Sequence, residues 1–268
     1  MVGCMVKKLE PSITLINHVR LLKSSYISPL YPFFAKQLKK YADQIICVSE
    51  AVKKDINNGA NVQVIYDCPD VTEKYPPWDG LHNPNTLKIL YLGNYIPGKG
   101  HDLGLQAFTI FHQFFPKATL TFAGASNTDT SRQFKEMLIS KAAEARIDQC
   151  VIFEDSVSDV EYEMKAYDIV LNLSESESFS FVCLEAMLYG VPLVAANSGG
   201  PAEITDYGKK AILVENKNPV AASEGLKKIA NATVVYREMA ANAQRWAAKR
   251  FDAFKETEKL TLIYKTIT

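Results

Sequence analysis

From Leu87 onward the chain alternates short apolar runs with amphipathic stretches of helical length, and few architectures accept that pattern. Strands are expected at 87–92, 118–124, 151–153, 168–173, 191–196 and 211–214. Between them, helical patterns span 102–115, about 129–146 and 159–167, one more helix begins near Ser180, and a short one starts at Pro201. Strands separated by helices of this length do not pair as hairpins, so each returns parallel to the last. A parallel sheet is covered on both faces, which suits runs that are apolar throughout. Such sheets bind ligands at the carboxyl ends of their strands.

The residues before Leu87 are also α/β, but sparser. Strands are expected at 12–17, 44–48 and 62–66, and helices at 29–41 and 50–57, too few to close a doubly wound domain. Residues 67–86, rich in Pro, Asp and Asn, read as a linker. After Val214 comes a helix-only tail. The 268 residues allow one large or two small domains. A formal charge of zero gives no electrostatic case for nucleic acid or an anionic membrane surface. No apolar run reaches membrane-spanning length, and the early lysines and Pro11 argue against a secretory signal. Five scattered cysteines without a Cys-x-x-Cys pair imply neither a disulfide framework nor a zinc site, and a reducing cytosol is the expected setting.

The densest chemistry lies in ESFSFVCLEAMLYGVPLVAANSGGPAEI, residues 177–204. Glu177 falls just after the apolar run 169–173, and Glu185 lies about one turn into the helix beginning near Ser180. The helix start between them exposes amide N–H groups and the positive end of a dipole, which favours phosphate. A carboxylate on either side can accept hydrogen bonds from hydroxyls, so a ligand with sugar on both sides of a phosphate fits: a nucleotide sugar. Two solvated helix-rim glutamates are the plain alternative.

This segment resembles the donor-binding signature of the retaining GT-B glycosyltransferases, glycosyltransferase family 4 in particular, also described as the glycosyl transferases group 1 domain. The family pattern of Glu-Gly-Phe-Gly, an apolar run, Leu-Glu-Ala-Met, Gly-x-Pro and a Gly-Gly pair appears here with Ser178 and Ser180 in place of two glycines. The resemblance is strong from Lys88 to Glu203 and weak before Ala42. It implies a Rossmann-like donor domain at 87–250 and a partial amino-terminal Rossmann-like, acceptor-side domain at 1–66, lacking about a hundred residues of a usual member. It also implies a carboxy-terminal helix at 251–268 that crosses back to the amino-terminal domain.

By the same resemblance, Glu177 contacts the transferred sugar, Glu185 the ribose, and the amides of Phe179, Ser180 and Phe181 the phosphate. The loop around Ser156 and Val157 reads the base through backbone. Lys99, in GNYIPGKG between a strand and a helix, is the candidate for the charge that stabilises the departing diphosphate, an exposed turn lysine after a Pro-Gly turn being the plain alternative. Asn94 stands where the family usually has an arginine, and offers a neutral donor only. Gly199 and Gly200 are donor-site or plain turn glycines, and Glu203 orients Lys99 or caps its own helix. His18, in INHVRLL, resembles the family's His-x-Arg segment and is either a donor or acceptor contact or a structural residue. His101 is expected to cap or pack its helix, and His82 and His112 to lie at the surface.

No Asp-x-Asp occurs, so metal-independent transfer without a cofactor is expected, the nucleotide diphosphate sugar being the co-substrate. Walker, GxGxxG and Ser/His/Asp patterns are absent as well. The expected activity is transfer of a hexose to a glycan or lipid-linked acceptor, with a donor-binding chain inactive in transfer as the alternative and a GT-B epimerase as a lesser one. A cytoplasmic location is expected, with peripheral membrane association or a homodimer through the partial domain as further options.

Overall fold

A computed structural model of the chain describes residues 2–25, 29–56, 59, 61–69, 86–157 and 159–267. Two compact units emerge. One comprises Met1–Thr72, Ser176–Phe179 and Arg250–Thr268, the other Glu73–Glu175 and Ser180–Lys249.

The first unit begins with α1 (Val2–Leu9), β1 (Ile16–Val19), a 3-10 turn at Lys23–Ser25, α2 (Tyr31–Tyr41), β2 (Gln44–Cys47), α3 (Glu50–Ile56) and β3 (Val62–Val64). Its three strands form a parallel sheet in the order β1-β2-β3. β1 starts at Ile16 rather than Ser12, because the Asp43 carboxylate accepts the Leu15 N–H at 2.7 Å before strand pairing takes over. α1 was not expected. No capping residue marks its start and Gly3 lies within it, yet Cys4 is buried and Lys7 bonds the Ile13 carbonyl at 2.6 Å. β3 ends at Val64 rather than Tyr66, because the Tyr66 N–H turns to the Glu256 carboxylate, 3.1 Å away. Most of the expected linker, residues 70–85, lies outside the described residues, as does His82.

The second unit carries β4 (Lys88–Leu92), α4 (His101–His112), β5 (Thr119–Ala123), α5 (Asp129–Glu144), β6 (Val151–Glu154), α6 (Val160–Lys165), β7 (Ile169–Asn172), α7 (Phe181–Leu188), β8 (Leu193–Ala196), α8 (Gly200–Ile204), β9 (Ile212–Val214), α9 (Pro219–Asn231) and most of α10 (Thr233–Arg250). Six strands form a sheet in the order β6-β5-β4-β7-β8-β9, with every pairing parallel. The chain winds outward from β4 to β6, then restarts on the other side of β4 with β7. The gap between the carboxyl ends of β4 and β7 is therefore the topological switch point, where open α/β sheets bind ligands.

All four residues of β7 and of β8 are buried, as expected of central parallel strands. Asp168 fixes the start of β7 against β4, its carboxylate accepting the Lys88 N–H at 2.8 Å and its own N–H donating to the Lys88 carbonyl at 2.9 Å. Leu87, Phe108, Phe111, Leu120, Phe122 and Ile229 belong to one core cluster. Each such side chain contributes about 1.5–3 kcal/mol through burial. Helix starts follow their caps: Thr128 for α5, Asp159 for α6, Ser180 for α7 and Asn218 for α9. His112 is not a surface residue. It is half-buried against the Phe108 ring at 5.4 Å, because it falls on the core-facing side of α4.

α11 (Ala253–Ile267) clusters with the first unit, where Ile263 joins Ile46 and Ile65 in a small core. Arg250 donates to the Tyr66 hydroxyl at 2.8 Å and lies over the Tyr66 ring.

Candidate functional site

Three loops of the second unit leave neighbouring strands at its switch-point edge: those after β4, β7 and β8. The first holds Asn94 and Lys99. Asn94 is exposed, and its side-chain oxygen accepts the Ala125 N–H at 3.2 Å, tying the loop to the end of β5. Lys99 is half-buried in a turn closed by its N–H to the Ile96 carbonyl at 3.0 Å. Gly100 follows with φ +76°, and a β-carbon there would lie 2.0 Å from the Leu173 carbonyl oxygen. Only glycine lets the loop after β4 approach the end of β7 this closely. The approach is reinforced where the Glu175 N–H donates to the Gly98 carbonyl at 2.9 Å.

The second loop leads into α7. Ser180 caps this helix, its hydroxyl accepting the Cys183 N–H at 3.4 Å, with φ +87° and ψ +88°. That left-handed conformation explains why the resembling pattern has glycine here. Phe181, the first helical residue, is 44% exposed, so the apolar ring stands at the helix mouth rather than in the core. Glu185 sits on the second turn, half-buried, and its carboxylate has no hydrogen-bond or ion-pair partner among the described residues. Burial alone pushes its pKa up from 4.5 to about 7. An unpaired carboxylate in such a place is an acceptor in wait of a donor.

The third loop carries Gly199, which precedes α8 with φ +123°, and the buried Gly200, the first residue of that helix. Beside them the buried Ser198 hydroxyl has no partner among the described residues. Val157 lies half-buried in the loop after β6, further along the same edge. Among the described residues no group of three or more His, Cys, Asp or Glu could hold a metal ion.

Glu177, Phe179 and His18 belong to the first unit. Glu177 is half-buried on the short stretch Ser176–Phe179. That stretch is fastened within its unit: the Ser178 hydroxyl accepts the Leu22 N–H at 3.0 Å, and the Ser176 and Ser24 hydroxyls meet at 2.7 Å. Phe179 is buried, stacked on Tyr66 with centroids 5.7 Å apart and edge-on to Phe251 at 5.8 Å. His18 is exposed, its Nε2 3.2 Å from the Tyr264 hydroxyl. It borders two cavities of about 190 and 250 Å³, the larger also lined by Arg20, Tyr66, Asp67 and Glu256.

Sequence reasoning missed Tyr91 and Ser198, which look like ordinary strand and loop residues, and marked Ser178 only as standing in place of a glycine. His101 was expected to cap or pack α4 and does the latter. It is fully buried among Tyr91, Tyr95 and Phe122, and its Nε2 lies 3.0 Å from the Gly93 carbonyl. Desolvation lowers its pKa to about 4, so the ring is neutral and Nε2–H is the donor.

Relatives of this chain are glycosyltransferases. An uncharacterized glycosyltransferase of Haemophilus influenzae is 26% identical over 172 residues, covering 59% of this chain and 47% of the relative. The D-inositol 3-phosphate glycosyltransferase of Corynebacterium urealyticum is 27% identical over 256 residues, covering 87% of this chain and 58% of its own length. This chain thus spans about half the length of the curated relatives it matches. In fold it is similar to Anabaena HepE, crystallised in complex with UDP, with TM-score 0.87 at 20% identity over 99% of this chain and 75% of that one. Sucrose-phosphate synthase of Thermosynechococcus elongatus gives TM-score 0.78 at 17% identity, with coverages of 98% and 71%. The α/β architecture with parallel, Rossmann-like sheets is that of GT-B glycosyltransferases. Residues 77–246, more than half of the chain and nearly all of the six-stranded unit, match the family model described as glycosyl transferases group 1, and the protein belongs to that family.

Proposed function

We propose that this chain binds a nucleotide diphosphate sugar at the β4/β7 edge of its second unit and transfers the hexose to a glycan or lipid-linked acceptor with retention at the anomeric carbon, as in glycosyltransferase family 4. One observation carries the reading: the Lys99 loop, the start of α7 and the unpaired Glu185 carboxylate all emerge at the switch point of one parallel sheet. The HepE structures, solved with UDP and with UDP-glucose, support a donor of this class.

In this reading Lys99 and the α7 amides hold the diphosphate, Glu185 accepts the ribose hydroxyls and backbone near Val157 faces the base. Gly199 and Gly200 let the chain pass close to the donor. Glu177 orients the hexose. His18, whose Nε2 lies 3.2 Å from the Tyr264 hydroxyl, is a donor or acceptor contact or a structural residue. The bond from the anomeric carbon to the diphosphate oxygen breaks, a bond to the acceptor oxygen forms on the same face, and the acceptor proton passes to the departing phosphate. Fixed charges and amides stabilise the leaving group without a metal.

Calorimetry with UDP, GDP and ADP, then with their glucose and mannose conjugates, tests the reading. One nucleotide is expected to bind, and Lys99→Ala and Glu185→Ala are each expected to weaken it about tenfold or more. Unchanged affinity in both variants would refute the site. Release of nucleoside diphosphate only when an acceptor is present separates transfer from donor binding alone.

A further inference from the structure

Tyr91 lies within β4 and is 1% exposed, yet its hydroxyl is where two loops meet. Oη donates to the Lys99 carbonyl at 2.6 Å and accepts the Leu173 N–H at 2.9 Å. The first bond holds the loop that presents Lys99. The second holds the first residue beyond β7, two positions before the Glu175 amide that itself bonds Gly98. A phenol has one proton to give, and here it is given across the switch point while a lone pair takes the Leu173 amide.

The ring has little freedom to miss these partners. A β-carbon at Gly104 of α4 would come 2.7 Å from it, and His101 and Phe122 pack beside it with centroids 4.9 and 5.3 Å away. His101 secures the other end of the same loop through the Gly93 carbonyl.

The geometry points to Tyr91 as a positioning residue that locks the β4–α4 and β7–α7 loops into one rigid edge, so that Lys99 and the start of α7 meet a nucleoside diphosphate at fixed spacing. This rests on the proposed donor site. Phenylalanine would keep the ring and its packing but leave the Lys99 carbonyl and the Leu173 amide without that hydroxyl, and both loops would loosen together.

Amide hydrogen exchange tests the lock without any ligand. Tyr91→Phe is compared with wild type and with Ile229→Val, a core change near the end of α9 that alters no hydrogen bond of either loop. Exchange is expected to quicken in residues 94–101 and 173–176 together in Tyr91→Phe, and in neither for Ile229→Val. At a temperature where circular dichroism shows all three proteins folded, UDP (or whichever of UDP, GDP and ADP the wild type binds) is expected to bind Tyr91→Phe roughly tenfold more weakly, with Ile229→Val unchanged. Unaltered exchange in either stretch, or undiminished nucleotide affinity, overturns the proposal. If the wild type binds none of the three nucleotides, the donor reading fails, and the exchange comparison alone decides whether the lock exists.

Discussion

Replacing Glu185 with glutamine should make the protein more stable at pH 8 and poorer at binding nucleotide. The Glu185 pKa lies near 7 in the folded chain because its carboxylate is half-buried with no partner among the described residues, against 4.5 for an ordinary glutamate. The folded state therefore holds a proton that the unfolded state has released between these values. Stability is greatest below about pH 4.5, falls as pH rises to about 7, and is level above that. A displacement of this size corresponds to about 3 kcal/mol, and discounting for the solvent that still reaches the carboxylate leaves about 2 kcal/mol. Glutamine keeps the shape and never ionises. Glu185→Gln should come within about 3 °C of the wild-type melting temperature at pH 5, yet exceed it by about 4–8 °C at pH 8. Melting curves at half-unit steps from pH 5 to 8 measure this. Calorimetry should show wild-type nucleotide affinity rising from pH 6 to 8, with the variant flat and about tenfold weaker at pH 8. Parallel melting profiles for the two proteins would refute the reasoning, since they would mean that Glu185 ionises freely in the fold.

Ser180→Gly should be neutral or stabilising by about 1 kcal/mol, because relief of the left-handed strain outweighs a lost cap that glycine replaces at small cost; a clear drop in melting temperature would count against it. Gly100→Ala should cost more than about 3 kcal/mol or abolish soluble expression, since its β-carbon would fall on the Leu173 carbonyl; chemical denaturation measures this, and a wild-type midpoint would show that the two loops are not so closely apposed. Excess EDTA should leave nucleotide binding intact, and a strict requirement for manganese or magnesium would show that Lys99 and the helix dipole do not hold the diphosphate.

Much of the fold was legible because its pattern is local. Each strand of the second unit is a short apolar run and most helices begin at a Thr, Asp, Ser or Asn cap, so element order from Lys88 to Val214 could be read residue by residue. The first unit was less legible. α1 has no cap signal, and the ends of β1 and β3 are set by the side chains of Asp43 and Glu256, the latter some 190 residues from its partner Tyr66. Spacing along the chain cannot register such bonds.

Local pattern was enough to reveal an α/β chain with a parallel sheet, and to mark Lys99 on a βα loop and Glu185 on the helix after another as chemistry-bearing residues, because periodicity and turn residues act over a few positions. That β7 returns beside β4, making one edge of their two loops, came only with the folded chain, since strand order depends on long-range packing rather than local preference. The folded chain likewise leaves Glu185 without a partner among the described residues, keeps His101 neutral, anchors the Glu177 stretch to Leu22 through the Ser178 hydroxyl, and joins Lys99 to Leu173 through a strand tyrosine, Tyr91. Ionisation and hydrogen bonding depend on which groups surround an atom in space, and those neighbours come from segments as much as 246 residues apart.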